Sequence, residues 1–357
     1  MNDFPLPSAH AGPGDGVAAA IHAATLTLDS HIDIPWPDGP DPFSDGVRRA
    51  DLPKMRRGGL RAGCFAAYVP QGPLTAEGHA AATSRALAML GVITAMHGSG
   101  AEHGGAADVV ARICASAAQI EAAAADGVLA VVPAVENGAA IGEDLSVLAR
   151  FRRLGAVYMT LSHNGHNALC DSSNPRADLG DAQALHGGLS GFGREAVAEM
   201  NRLGLLVDVS HVSRDSMRQA VTASRVPVVA THSCVRALCD VPRNLDDSQL
   251  DLLRDTGGLV QITAVPSFLR WKARFDQVSV ADLGAHIEYA VRRMGMAHVG
   301  IGSDFDGGGG TPGYRDASES GGLTAELVRR GFGAQDIALL WGGNFLRLMR
   351  AAEAAAG

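Results

Sequence analysis

The sequence predicts a (β/α)8 barrel, and three observations carry that prediction. Eight short apolar runs rich in β-branched residues recur along the 357 residues. Most are separated by stretches with helical apolar spacing, several opening on a capping side chain and closing on glycine. Six of the eight runs carry His, Asp or Glu at their last or next-to-last residue, and a barrel gathers all its strand ends at one rim.

In chain order, residues 1–15 are rich in Pro, Gly and polar residues and read as a loose arm. Residues 16–24 read as a short helix. The strand-like runs are TLTLDSHID (25–33), GLRAGCFAAYV (59–69), VLAVVPAVE (128–136), AVYMTLSH (156–163), LLVDVSH (205–211), PVVATHS (227–233), GLVQITAV (258–265) and HVGIGSDF (298–305). Helical patterns fall at 75–98, 106–126, 143–154, 188–203, 213–224, 246–256, 279–295 and 323–330. Ser213, Asp246 and Ser279 stand where N-caps are expected, and Gly155, Gly204 and Gly295 where helices stop. Strands alternating with helices imply parallel β/α units, and eight units closed into a ring make the barrel. An open doubly wound sheet is the alternative, but no GxGxxG follows the first strand. Gly307–Gly310 lacks a following GK[ST] and reads as a flexible loop rather than a phosphate loop. No linker divides residues 1–357, so a single domain is expected.

Composition narrows the function. The formal charge is −8 with no basic cluster, which argues against nucleic acid as a partner. No apolar stretch approaches the ~20 residues of a membrane span, and the N-terminus lacks the basic-then-apolar pattern of a secretory signal. The five cysteines (Cys64, Cys114, Cys170, Cys234 and Cys239) are odd in number and form no CxxC. Free thiols and a reducing cytoplasm are therefore expected.

The strand ends carry the chemistry. HIDIPW, His31 to Trp36, closes the first strand. His31 and Asp33, two residues apart, share one face of it, and an imidazole and a carboxylate converging there can hold a divalent cation. Glu136 closes the third strand, His163 the fourth, His211 the fifth, His232 the sixth and Asp304 the eighth. Each alone has an ordinary structural explanation, such as a cap, a packed histidine or a turn aspartate. Together at one rim they point to metal. Asp33, Glu136 and Asp304 supply three negative charges, and a bridging hydroxide would supply a fourth to balance two divalent cations. Glu136 is the natural bridge, because it lies between the His31/Asp33 pair and the His211/His232 pair in barrel order.

These stretches (DSHIDIPW, AVENG, TLSHNG, VDVSH, ATHS followed by VPRNLDD, and GIGSDFDG) resemble the membrane (renal) dipeptidase family, zinc dipeptidases of the amidohydrolase superfamily. WGGNFLRLM looks like that family's closing helix, and the resemblance runs from about residue 25 to 350. It implies a dinuclear zinc site with His31, Asp33 and Glu136 on one ion and Glu136, His211 and His232 on the other. It implies that His163 contacts the substrate and its developing oxyanion, and that Arg243 pairs with the substrate's terminal carboxylate. It implies that Asp304 moves a proton from the bridging water to the leaving amine; Asp306, of the same strand parity, is the alternative. The implied substrate is a small dipeptide, with a D-residue tolerated on the carboxyl side, and a homodimer is the family-level expectation. Same-fold rivals are hydrolysis of another amide or a lactone, such as an N-acyl amino acid, and metal-dependent decarboxylation. A barrel kept as a non-enzymatic scaffold is the remaining rival. The loops 70–75 and 265–275, the latter with Phe268, Arg270 and Trp271, are the expected sources of side-chain preference. Animal members carry secretion and anchor signals that are not evident here, so no membrane partner is expected.

Overall fold

The computed structural model describes residues 13–34 and 38–357. Most of the predicted arm and Trp36 lie outside the described residues. The first helix begins at Pro13 and runs to Ala24, three residues earlier than its apolar pattern suggests.

Eight parallel strands form the ring: β1 (Leu28–Asp33), β2 (Ala62–Tyr68), β5 (Leu129–Glu136), β6 (Tyr158–Thr160), β7 (Leu206–Asp208), β8 (Val229–Ser233), β9 (Leu259–Ile262) and β10 (Val299–Ile301), paired in that order. The ring closes just past β10, where Ile32 bridges Phe305 and the Asp33 amide donates to the Phe305 carbonyl at 2.8 Å. The predicted barrel is thus the observed fold. One expected helix is corrected. Within 106–126, Val110–Ile113 forms β4, which pairs with β5 and with the two-residue β3 (Gly98–Ser99), and the helix is confined to Ala117–Ala125. The alternation in DVVARI outweighs the surrounding alanines because β4 finds a partner edge on β5.

Period-2 alternation sorts the strand residues into two cores. Phe65, Val131, Met159, Val207, Val260 and Ile301 belong to the larger core shared with the surrounding helices, including Leu90, Phe151, Leu253 and Ile287. Ala62, Cys64, Val132, Tyr158, Leu206, Val229 and Leu259 belong to the smaller core, with Phe345, Leu346 and Met349 of the last helix, Asn344–Ala355. That helix plugs the floor of the barrel. Above this floor lies a buried polar layer (Asp29, Thr160, Asp208, Thr231, Thr263 and Ser303), and the predicted site residues stand above it. A polar layer survives burial only when its members are hydrogen-bonded, and these are.

Helix caps follow the sequence closely. Ser213 accepts from the Ser216 amide and Asp246 from the Gln249 amide, while Gly155 and Gly204 take the left-handed conformation that ends a helix. The glycines at 307–310 form a tight turn rather than a flexible loop. The Gly309 amide donates to the Asp304 carbonyl at 2.7 Å, and a Cβ on Gly309 would meet the Ser303 carbonyl oxygen at 1.8 Å. All five cysteines are buried and free. Among the described residues no helix is long and apolar enough to cross a membrane.

If the last helix closes the barrel floor, truncating its buried aromatic opens a cavity there. Phe345→Ala is expected to cost about 3–5 kcal/mol in urea unfolding. A midpoint equal to that of the parent would contradict the plug.

Candidate metal centre and active site

Glu136 stands at the end of β5, and its two carboxylate oxygens face different neighbours. Oε2 lies 3.6 Å from His31 Nε2, which is itself 3.7 Å from Asp33 Oδ1. Oε1 lies 3.1 Å from His211 Nε2 and 3.4 Å from His232 Nε2, with His163 Nε2 farther off at 3.8 Å. Three overlapping sets of donors converge to metal-binding spacing: His31, Glu136 and His232; Glu136, His163 and His211; and His31, Asp33 and Asp304. The seven predicted rim residues thus form one cluster at the mouth of the barrel.

The layer beneath fixes how the histidines present their nitrogens. Tyr158 Oη donates to the Ser30 carbonyl at 2.9 Å, so at 2.8 Å from His31 Nδ1 it accepts that N–H. Nε2 is left facing Glu136 and has no hydrogen-bond partner among the described residues. Thr231 Oγ1 donates to Asp208 Oδ2 at 2.7 Å and accepts from His232 Nδ1 at 2.9 Å, which turns His232 Nε2 toward the rim, 2.8 Å from His211 Nε2. Such outer partners set the tautomer and basicity of a ligating histidine. Asp208 Oδ1 also accepts the Ser210 and Thr231 amides, and Asp29 Oδ1 accepts the His31 and Ser303 amides. Two aspartates, each just upstream of a rim histidine, thereby tie β7 to β8 and β1 to β10.

Electrostatics fit a cation. Burial, followed by the Glu136 charge, pushes the Asp33 carboxyl well up. Burial pushes Asp304 up to about 7, with His31 and Arg243 opposing and Glu136 adding. Burial lowers His211 strongly and takes His232 down to about 3, so both imidazoles are neutral. At His31 burial also lowers, but Glu136, Asp33 and Asp304 outweigh it and hold the pKa at about 10. Against burial, His31 and His163 keep Glu136 well below its usual range. Neutral imidazoles, crowded carboxylates and an orphaned buried Nε2 are the donor set a divalent cation completes.

The two aspartates of SDFDG separate. Asp304 sits within the His31/Asp33 group. Asp306 turns away, and its carboxylate accepts the Arg49 amide at 2.7 Å and the Ala50 amide at 3.1 Å. Both residues, like His211, have positive φ, so strand parity does not extend past β10. Gly307 is held between the two site carboxylates. A Cβ there would lie 2.1 Å from Asp33 Oδ2 and 2.3 Å from Asp304 Oδ1.

Arg243 is 4% exposed, donates from Nη2 to the His232 carbonyl at 2.9 Å, and places its guanidinium over the Phe268 ring at 5.3 Å. Phe268 is therefore beside the site. Arg270 instead pairs with Asp282 at 2.8 Å, and Trp271 is 62% exposed beneath Lys272. In the 70–75 loop, Gln71 contacts Asn137, and Thr75 caps the following helix, Ala76–Thr94. Sequence reasoning missed Tyr158, Thr231, Asp208, Asp29 and Gly307. The one available signal was the repeated Asp shortly before His in DSH and VDVSH.

A carboxylate shared between two His-containing groups at the C-terminal rim of a barrel is a donor arrangement that fits divalent cations. A family model for membrane dipeptidases (peptidase family M19) matches residues 17–357, and the chain belongs to that family. It is 40% identical over 210 residues to dipeptidase aclJ of Aspergillus oryzae, covering 58% of this chain and 48% of that one. It is 34% identical over 258 residues to dipeptidase 3 of Rattus norvegicus, covering 69% and 51%. The chain thus spans about half the length of these relatives. Among solved structures, a probable dipeptidase, PvdM, from Pseudomonas aeruginosa superposes with a TM-score of 0.88 at 29% identity, covering 96% of this chain and 99% of that one. A metallopeptidase from Rhodobacter sphaeroides, liganded with a phosphinate mimic of the dipeptide L-Ala-D-Ala, gives 0.76 at 27% identity, covering 92% and 99%.

Thr231→Val removes the hydroxyl between Asp208 and His232 at nearly constant volume. It is expected to weaken metal affinity about 10–100-fold in chelator competition. Unchanged affinity would mean that Thr231 does not orient His232.

Proposed function

We propose that this protein is a zinc dipeptidase that accepts a D-residue on the carboxyl side. The observation that carries the reading is the division of the Glu136 carboxylate, Oε2 toward His31 and Oε1 toward His211 and His232. His31, Asp33 and Glu136 would hold one zinc, and Glu136, His211 and His232 the other. When bound, such a pair would supply Lewis acidity to the scissile carbonyl and would lower the pKa of water in the site to roughly 7, making a nucleophile available at neutral pH. Family membership supports peptide-bond hydrolysis, and the L-Ala-D-Ala mimic in the Rhodobacter relative supports the substrate class.

The chain's own groups bind, orient and move the proton. Arg243, a planar guanidinium beside His232, pairs with the substrate's terminal carboxylate. The His163 ring, 20% exposed at the mouth, donates to the carbonyl oxygen as it becomes an oxyanion. One such preorganised donor is worth on the order of 3 kcal/mol. Asp304 accepts the proton of the attacking water and returns it to the departing amine as the C–N bond breaks. Asp306, with its oxygens committed to the Arg49 and Ala50 amides, is not placed for that transfer.

Asp304→Asn keeps shape and removes the base. It should retain bound metal while turnover of L-Ala-D-Ala falls by about 10²–10⁴-fold. Full turnover with metal retained would remove Asp304 from the proton transfer.

A further inference from the structure

The two sides of the Glu136 carboxylate are unequal in charge. On one side the carboxylates of Asp33 and Asp304 join Glu136 Oε2 beside His31. On the other, Glu136 Oε1 faces three imidazoles, those of His211, His232 and His163, and among the described residues no second carboxylate pairs with them. A positive charge stands on that same side. Arg243 is buried, with Nη2 2.9 Å from the His232 carbonyl. Among the described residues it forms no ion pair, and its Nε has no hydrogen-bond partner. A buried charge is screened little, so it opposes a dication on the adjacent imidazoles.

The supporting layer is uneven in the same direction. Tyr158 accepts from His31 Nδ1 and Thr231 from His232 Nδ1, but His211 Nδ1 is buried with no partner among the described residues. A cation on His211 Nε2 obliges the ring proton to sit on Nδ1, where no described residue accepts it, and a buried donor left unpaired costs affinity. The His211 backbone is held, since its carbonyl accepts the Ser173 amide at 2.7 Å. The ring itself rests on His163, 4.1 Å away between centroids, and His163 is partly exposed at the mouth.

We infer that the two cation sites fill in order, the His31/Asp33 side tightly and the His211/His232 side weakly, and that the unpaired charge of Arg243 contributes to the gap. The ion beside His211 is the one that exchanges. Peptide cleavage therefore follows the free zinc concentration over a range in which the ion beside His31 stays in place. The inference rests on the two-cation reading above and adds to it a regulation of the same site.

The experiment is equilibrium competition between the zinc-loaded protein and a chelator of known zinc affinity, counting ions per chain without reference to activity. Two steps of one ion each are expected, their dissociation constants apart by at least about tenfold, the factor that one missing partner of a ligating histidine costs. His211→Ala should erase the weaker step and leave the tighter one in place. Arg243→Met keeps much of the side-chain length and removes the charge. Its weaker step should move toward the tighter one, whereas loss of mere packing would loosen it. Arg243→Lys, which keeps the charge, should leave the weaker step where it is in the parent. Two coincident steps in the parent, or a His211→Ala protein that keeps only the weaker step, would overturn the order of filling while two bound ions leave the two-cation reading intact. A weaker step in Arg243→Met that fails to tighten, whether unchanged, loosened or lost together with the first, would overturn the role given to Arg243. Uptake of a single ion at every zinc concentration would contradict the two-cation reading itself.

Discussion

The structure depends on one carboxylate with two sides. Glu136 ends a fully buried strand, and its two oxygens separate the rim into a His31/Asp33 side and a His211/His232 side. An isolated buried carboxylate is costly. This one is held ionised by four histidines against the effect of burial. It gives the rim a centre about which two cations can share one ligand, and every other site residue has a place relative to it. Asp33 and Asp304 lie beyond His31, His163 stands at the open mouth, and Arg243 lies behind His232.

A rim this crowded with donors holds its geometry only if something beneath it does not yield. Here that is a layer of hydrogen-bonded polar groups between the rim and an apolar floor. Tyr158 and Thr231 each spend their own proton on a partner below and so accept a histidine N–H above. Asp29 and Asp208 each collect backbone amides from two neighbouring strands, which turns strand pairing into ligand placement. The barrel floor, closed by Phe345 and its neighbours, keeps water from reaching this layer from below. The positive-φ backbone at His211 and Asp304 is held by its own hydrogen bonds: the Ser173 amide donates to the His211 carbonyl at 2.7 Å, and the Asp304 amide to the His31 carbonyl at 3.0 Å.

Much of the rim was legible in the sequence, for a physical reason. Ligands at strand ends are local features, and HIDIPW, VDVSH and THS show a donor directly after an apolar run. The β/α alternation was legible for the same reason, since period-2 and helical spacing are local. The supporting layer was not, because its pairings are distant: His31 and Tyr158 are 127 residues apart. The preference for Asp304 over Asp306 had no local geometric ground in the sequence, although Asp304 is the one that lies in the donor cluster. Parity assumes an extended strand, and the chain enters the left-handed region at both residues. The β4 strand was hidden by alanines that favour helix in isolation, until the edge of β5 offered it a ladder. The tight glycine turn at 307–310 likewise became intelligible only once Gly307 was seen between two carboxylates.

The central claim is that Glu136 organises two cation sites which together support peptide hydrolysis. The most direct measurement is zinc stoichiometry per chain during titration of chelator-treated protein, read alongside L-Ala-D-Ala cleavage. The account predicts about two zinc ions per chain, with cleavage rising as both are filled, as a shared-carboxylate site requires. Saturation at one ion with full activity, or no binding at all, would contradict it.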